Sequence, residues 1–411
     1  MQKYKSKILF VLIGILFLFF FNNSFGIVDI EKMAIITAIG IDMEEDKYSV
    51  TAQIAVPEED STHTEKKKSH IVGKGLTIGD AIREISDNSG WYPQLVFCNL
   101  IVLGKDLGDE NVLTSLDYFA KTLRIQDSAL VVYSTEKANK LLSETTPLDN
   151  ISSFALQKIL YKKSGFNKDV AEINIKEFCS MYYSRSSSSF MPIISKVQLN
   201  SSSGDEQGGG GGDKIQMGGM TASGGSSGSS SGGESDGNIL FSAKTTALFK
   251  NGVMVGALNE DQTIVYNILR NKFSNSTLSI ANVNDNLAEK TNYMLNVLKS
   301  SSALSFDVDS ENITLNVKVN LFCKIGDQNS KSSHHSLSKN EPLPDSVKKA
   351  LEEKIYNDVF SFFQTLKQTD CDMLKLDEKL YRFHHEYYPT HKDNLLEKIA
   401  LNISVFVSGQ K

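Results

Sequence analysis

The sequence predicts an α+β protein built as two to three small mixed-sheet domains with flanking helices, and three observations carry that prediction. Up to residue 198, short apolar runs rich in β-branched residues alternate with stretches of helical period. After residue 238 the alternation resumes around Asn251 followed by Gly252, the strongest short hairpin signal a sequence offers. Between the two lie residues 199–237, mostly Ser and Gly, with an unbroken glycine run from Gly208 to Gly212; they hold too few apolar side chains to offset their ordering entropy. The expected organisation is therefore a signal peptide or N-terminal anchor at 1–26, an N-terminal α+β domain at 27–134 and a helical middle domain at 135–198. A disordered linker at 199–237 and a C-terminal α+β region at 238–411 complete it.

In chain order, residues 33–42 and 48–56 read as a strand pair joined by an acidic turn at 43–47. A short strand follows at 69–74. Thr77, three residues before Asp80, caps a helix running to about Asn88. Residues 94–103 read as a buried strand. Val112, Leu116, Phe119 and Leu123 then recur at helical spacing, and 128–134 return to β-branched residues. From 135 to 183 the pattern is mainly helical, its apolar faces supplied by Leu141, Leu142, Ile151, Phe154, Leu156 and Ile159; 190–197 is again strand. Past the linker, 240–250 and 253–258 flank the hairpin turn. Asn259 caps a helix to about Phe273. Three β segments follow at 293–299, 303–308 and 313–325, then helices at 344–367 and 373–387, and a closing strand at 399–407.

A length of 411 residues exceeds one ordinary core, which is why more than one domain is expected. Hydrophobic content of 40% and charged content of 22% match globular proteins, which excludes a fibrous or polytopic chain. The formal net charge of −6 argues against nucleic acid as a partner, since phosphate contacts demand clustered Lys and Arg. The exception to globular character is the start of the chain. Lys3, Lys5 and Lys7 precede an apolar stretch at 8–21, about 14 residues, which is short for a membrane span of roughly 20 and fits a secretory h-region. Ser24 and Gly26 occupy the −3 and −1 positions of a candidate cleavage site between Gly26 and Ile27, with Phe25 a poor residue between them. An uncleaved anchor is the alternative, and both readings place the remaining chain outside the cytoplasm.

Chemistry-bearing constellations are sparse. Cys98, Cys179, Cys323 and Cys371 are scattered and lack CxxC spacing, so buried thiols are expected rather than metal ligands or disulfides. His384, His385 and His391 with Glu386 lack HExxH spacing, and the two adjacent histidines point about 100° apart on a helix. His334 and His335 fall in a polar loop. Asp42, Glu44, Glu45 and Asp46 read as a solvated turn without the spacing of a calcium loop. No GxSxG elbow occurs, and the serines at 184–189 offer no rigid support for a nucleophile. The Gly run lacks GxxxxGK[ST]. No catalytic, metal or cofactor site is predicted, no ligand-binding residues can be named, and the chain reads as a non-enzyme.

Several of these segments, in co-linear order, resemble the Ger(x)C family of spore germination proteins. MAIITAIGID followed by YSVTAQIAVPE is similar to the family's opening strand pair, GKGLTIGDAIREI to its GKG-T-EA-R-L stretch, and QLVFCNLIVLGKDL to its next strand. TSLDYFAKTLRIQDSALVVYSTEKANKLL resembles its helix, strand and helix; TALFKNGVMVGALNEDQT its hairpin; and the segment from Leu351 to Pro389 its long helix and the motif after it. The resemblance implies an α+β fold of three small sheet-and-helix domains. It also implies a lipoprotein-like, non-catalytic subunit of a germinant receptor at the outer face of the spore inner membrane. There it would act beside polytopic A-type and transporter-like B-type subunits in nutrient-triggered germination after sporulation. Ile27 stands where the family carries its acylated Cys, so lipidation there is chemically excluded. Met373, Leu374, Lys375 and Leu376 replace a Phe-Gly-Phe-Gly turn, and the Ser/Gly insertion has no counterpart. The competing expectation is an extracytoplasmic small-molecule-binding protein that senses a nutrient directly.

Overall fold

A computed structural model of the chain describes residues 11–15, 33–55, 70–122, 125–161, 168–198, 239–284, 290–329 and 342–409. The expectations for the cleavage site at Gly26 and Ile27, the linker at 199–237 and the pair His334 and His335 lie outside these residues. Residues 11–15 are helical and exposed. Among the described residues no helix is long and apolar enough to cross a membrane.

The chain runs β1 (Met33–Glu44), β2 (Lys47–Ile54), β3 (His70–Gly75), α1 (Ile78–Ser89), β4 (Tyr92–Gln94), β5 (Leu100–Leu103), α2 (Val112–Thr122) and β6 (Leu130–Ser134). Then come α3 (Ala138–Ser143), α4 (Ser152–Leu160), α5 (Ile175–Tyr182), β7 (Ser188–Gln198), β8 (Ile239–Lys250), β9 (Val253–Leu258) and α6 (Glu260–Leu269). The last elements are β10 (Ser276–Asn284), β11 (Lys290–Val308), β12 (Ile313–Asn329), α7 (Asp345–Thr369), α8 (Leu376–Phe383), α9 (Tyr388–His391), α10 (Leu395–Lys398) and β13 (Ala400–Gly409).

Two mixed sheets organise these elements, so the α+β class stands. The first has strand order β3-β2-β1-β5-β6-β7-β8-β9, with β4 added beside β1; β1, β5, β6 and β7 are parallel neighbours and the flanks are antiparallel. Its centre is buried on both faces, which explains the nearly continuous apolar run of β1. Ile39 and Ile41 pack towards α1, α2 and α5. Ala38 packs on the other side with Leu141 and Leu142 of α3 and Leu156 of α4. The second sheet, β10-β11-β12-β13, is antiparallel except where β13 lies parallel to β12, and the chain between them supplies the crossover a parallel pair needs. Val347, Leu351, Ile355, Val359, Phe362 and Leu366 of α7, spaced three or four apart, are buried as one stripe. The two sheets share one continuous core: the Tyr266 ring of α6 meets Phe190 of β7 edge-on, centroids 4.9 Å apart, and stacks on Phe362 of α7 at 6.2 Å.

The local signals landed where they were read. The Thr77 side chain accepts from Asp80 N at 3.1 Å, and Asn259 forms a full capping box with Gln262. Asn251 and Gly252 take positive φ of 52° and 83°, as the tight hairpin demands.

Long-range placement differed. The hairpin β8–β9, assigned by the sequence to the C-terminal region, pairs with β7 and extends the first sheet, from Ser188 opposite Lys250 to Gln198 opposite Ile239. The divisions at 134 and at 199–237 therefore do not separate sheets: β6 and β7 lie side by side, and β7 and β8 pair across the second. The segments expected at 293–299 and 303–308 are one strand, β11, carried through Ser300, Ser301 and Ser302 by pairing with β12, and β10 was not foreseen. Residues 94–103 are not one strand, because a tight turn at Leu95–Phe97 separates β4 from β5. Phe154, expected on the apolar face of its helix, is exposed, whereas Ser152 and Ser153 are buried. The cause is Gln53 of β2, whose amide donates to Leu142 O and Ser152 Oγ and accepts from Ser153 N.

Candidate functional site

An open cleft lies where α5 meets the segment after α7. Asn174 opens α5 by accepting from Glu177 N at 2.8 Å, and the helix buries Ile175, Phe178 and Met181. That orientation leaves Ser180, Tyr183 and Ser184 at the rim. On the opposite side, α7 stops at Asp370, which takes a left-handed conformation with φ 46°. The chain is then pinned by Asp372, which is 3% exposed: its N–H donates to Ser188 Oγ at 3.0 Å, and its carboxylate accepts from Leu376 N at 2.8 Å and Asp377 N at 2.9 Å. Burial raises this carboxyl above its ordinary range, opposed by the two N–H donors of the first turn of α8. Leu376 and Leu380 of α8 point into the core.

The cleft between these walls has a volume of about 540 Å³. Lys375, Lys379 and Arg382 line it with Glu378; Arg382 pairs with Glu378, and burial lowers the Lys379 ammonium from its ordinary value. One residue beyond Ser184, the Arg185 guanidinium stacks over the Tyr381 ring at 3.5 Å and lies 5.4 Å from the Tyr388 ring. Tyr388 in turn donates to Asp377 Oδ2 at 3.4 Å. In a chain of net charge −6 this is a locally cationic concavity with hydroxyl and aromatic edges, suited to a carboxylate or another small anion.

The residues considered from sequence are distributed as follows. The three histidines do not converge: His391 is buried with Nε2 2.8 Å from Asp309 O, His384 meets Phe306 edge-on, and His385 meets Tyr381 edge-on. Among the described residues no group of His, Cys, Asp and Glu is placed to hold a metal ion. All four thiols are free; Cys98, Cys323 and Cys371 are buried and pushed up to about 12, while Cys179 is half-buried. The serines at 184–189 are held more firmly than expected. Ser187 N donates to Ser184 O to close a turn, and Ser188 and Ser189 are fully buried in β7.

Asp42 corrects the reading of a solvated acidic turn. It is 1% exposed and accepts from Ala138 N at 2.7 Å and Asn139 N at 2.9 Å, capping α3 across the sheet. Only Glu45 and Asp46, at φ 49° and 61°, form the turn itself. Sequence reasoning did not single out the cleft, because its two walls are far apart in the chain. The nearest signal was the run of basic and aromatic residues at 375–388.

Two family models match in succession. One, described as the spore germination protein N-terminal domain, matches residues 26–196, and the other, described as spore germination B3/GerAC like, C-terminal, matches residues 244–408. A solved structure titled "Crystal Structure of the GerBC protein" shares the fold, with a TM-score of 0.51 at 14% identity over 93% of this chain and 99% of that one. No curated protein matches.

Proposed function

The chain belongs to the Ger(x)C family of spore germination proteins, and on that premise we propose that it is a non-catalytic subunit of a germinant receptor, taking part in nutrient-triggered germination. It works outside the cytoplasm, associated with the spore inner membrane beside A-type and B-type membrane subunits. The observation that carries this reading is the ordered match of both family domains over most of the chain. Deleting the gene is expected to slow or abolish germination by nutrients while leaving vegetative growth unchanged, and affinity purification from spore membranes is expected to bring down multi-span proteins. A deletion strain, freed of any paralogue, that responds normally to every nutrient would overturn the proposal.

The cleft supports a second reading, in which the subunit itself holds a carboxylate-bearing nutrient against Lys375 and Lys379. Calorimetric titration of the protein with amino acids tests it. Saturable binding lost on Lys379→Glu would favour direct sensing; no heat with any amino acid would overturn this second reading.

A further inference from the structure

We infer that the segment around Trp91 is a membrane-contacting ledge that seats this chain on a lipid surface. The inference rests on the membrane association proposed above and specifies which residues meet the bilayer. Gly90, at φ 71°, ends α1 and turns the chain into β4, a strand of three residues that pairs in parallel with the very start of β1, Met33 opposite Tyr92 and Ile35 opposite Gln94. The tight turn that follows buries Leu95 and turns its neighbours outward. Trp91, Val96 and Phe97 are consequently 47%, 48% and 55% exposed, with Ile35 and Tyr92 also open to solvent. The ledge is built rather than frayed, because Gln126 Nε2 donates to Val96 O and Cys98, just beyond, is wholly buried. Five large apolar or aromatic side chains thus stand exposed within two paired segments, an arrangement that marks an interaction surface.

Its position selects the occupant. Met33, against which the ledge pairs, stands twelve positions after Phe21, the end of the apolar stretch at 8–21, and twelve residues reach at most about 40 Å. In the full-length chain, with the stretch retained as an uncleaved anchor, the bilayer that receives it lies within reach of this end of the first sheet. Trp and Tyr are the side chains that favour the headgroup boundary, their rings apolar and their N–H and O–H groups wet. The five side chains together offer roughly 400–500 Å², well short of the roughly 800 Å² per partner of a stable protein interface, whereas shallow seating at a lipid surface needs no such area.

Trp91 is the single tryptophan of the chain and so reports on the ledge alone. The full-length protein is reconstituted with vesicles of mixed phosphatidylcholine and phosphatidylglycerol, flotation reports membrane association, and lipids brominated along the acyl chain report contact. The expected result is flotation with blue-shifted Trp91 emission quenched roughly twofold or more, and quenching that at least halves in the double variant Val96→Ser with Phe97→Ser while flotation persists. Both substituted positions are exposed, and unchanged circular dichroism together with restored quenching in Phe97→Leu would exclude misfolding. Flotation with unquenched Trp91 would overturn the ledge and leave membrane association standing. Failure to float would overturn the ledge and leave association through partner subunits to the affinity purification described above. A blue shift insensitive to bromine would show that another protein copy covers the patch, and undiminished quenching in the double variant would show that Val96 and Phe97 do not form the contact; either result sinks the inference.

Discussion

Two carboxylates two positions apart on β1 have opposite electrostatic situations. Asp42 is buried, and burial raises its pKa against the pull of the α3 N–H donors. Its ionisation therefore costs stability as pH rises through the raised value. Glu44 sits at the surface, 2.6 Å from Lys137 Nζ and 2.7 Å from Lys74 Nζ, and hydrogen bonds from those ammonium groups pull it down to about 2. A carboxylate with a depressed folded value stabilises the fold above its unfolded pKa, and loses that contribution as pH falls from there through about 2. Because both lysines are substantially exposed, solvent screening limits the contribution of Glu44 to about 1 kcal/mol. Glu44→Gln is expected to lower the unfolding free energy by about that amount near neutral pH, read as a lower urea midpoint, with the gap from the parent closing as pH drops below 4.5. A gap that stays constant in acid would show that the triad is not the cause.

At the scale of elements, the Gly73-Lys74-Gly75 stretch of β3 shows why a motif can be structural. A Cβ on Gly73 would lie 2.2 Å from Ala81 O, and one on Gly75 2.5 Å from Ala81 N, so α1 lies directly against the backbone of β3. The φ of neither residue demands glycine; the close approach of a helix backbone does. Gly73→Ala is expected to cost about 2–3 kcal/mol, read as a lower midpoint of chemical unfolding, since backbone rather than a flexible side-chain tip must move. An alanine variant as stable as the parent would show that α1 can lift away freely. The capping box of α6 and the turn at Asn251 and Gly252 were legible because each carries its full signal within four residues. β10 and the middle of β11 were not, because serines and asparagines have weak strand preference and are held there by the ladder to a neighbouring strand.

For the molecule as a whole, the β7–β8 pairing ties together what the sequence divides. Ten residue pairs, from Ser188 with Lys250 to Gln198 with Ile239, zip the two strands, and Tyr266 and Cys371 from the later part of the chain pack against Phe190, Ser189 and Phe249. A protease site engineered between residues 198 and 239 should therefore yield two pieces that co-elute in gel filtration and separate only in denaturant. Fragments that part on cleavage would show that the two sequence-defined regions fold independently.

By itself the sequence determined the α+β class, the caps at Thr77 and Asn259, the hairpin turn, the long helix at 344–367 and, through co-linear motifs, the family. Each depends on side chains close together in the chain or on a period that local geometry imposes. Only the tertiary structure decided that Asp42 is a buried helix cap, that the β8–β9 hairpin completes the first sheet, that Ser180 and Lys379 face one cleft, and that Trp91 and Phe97 stand in solvent. Those outcomes turn on which distant segment covers a residue. The same apolar or acidic side chain is core, cap or surface according to the partner that the folded chain brings to it.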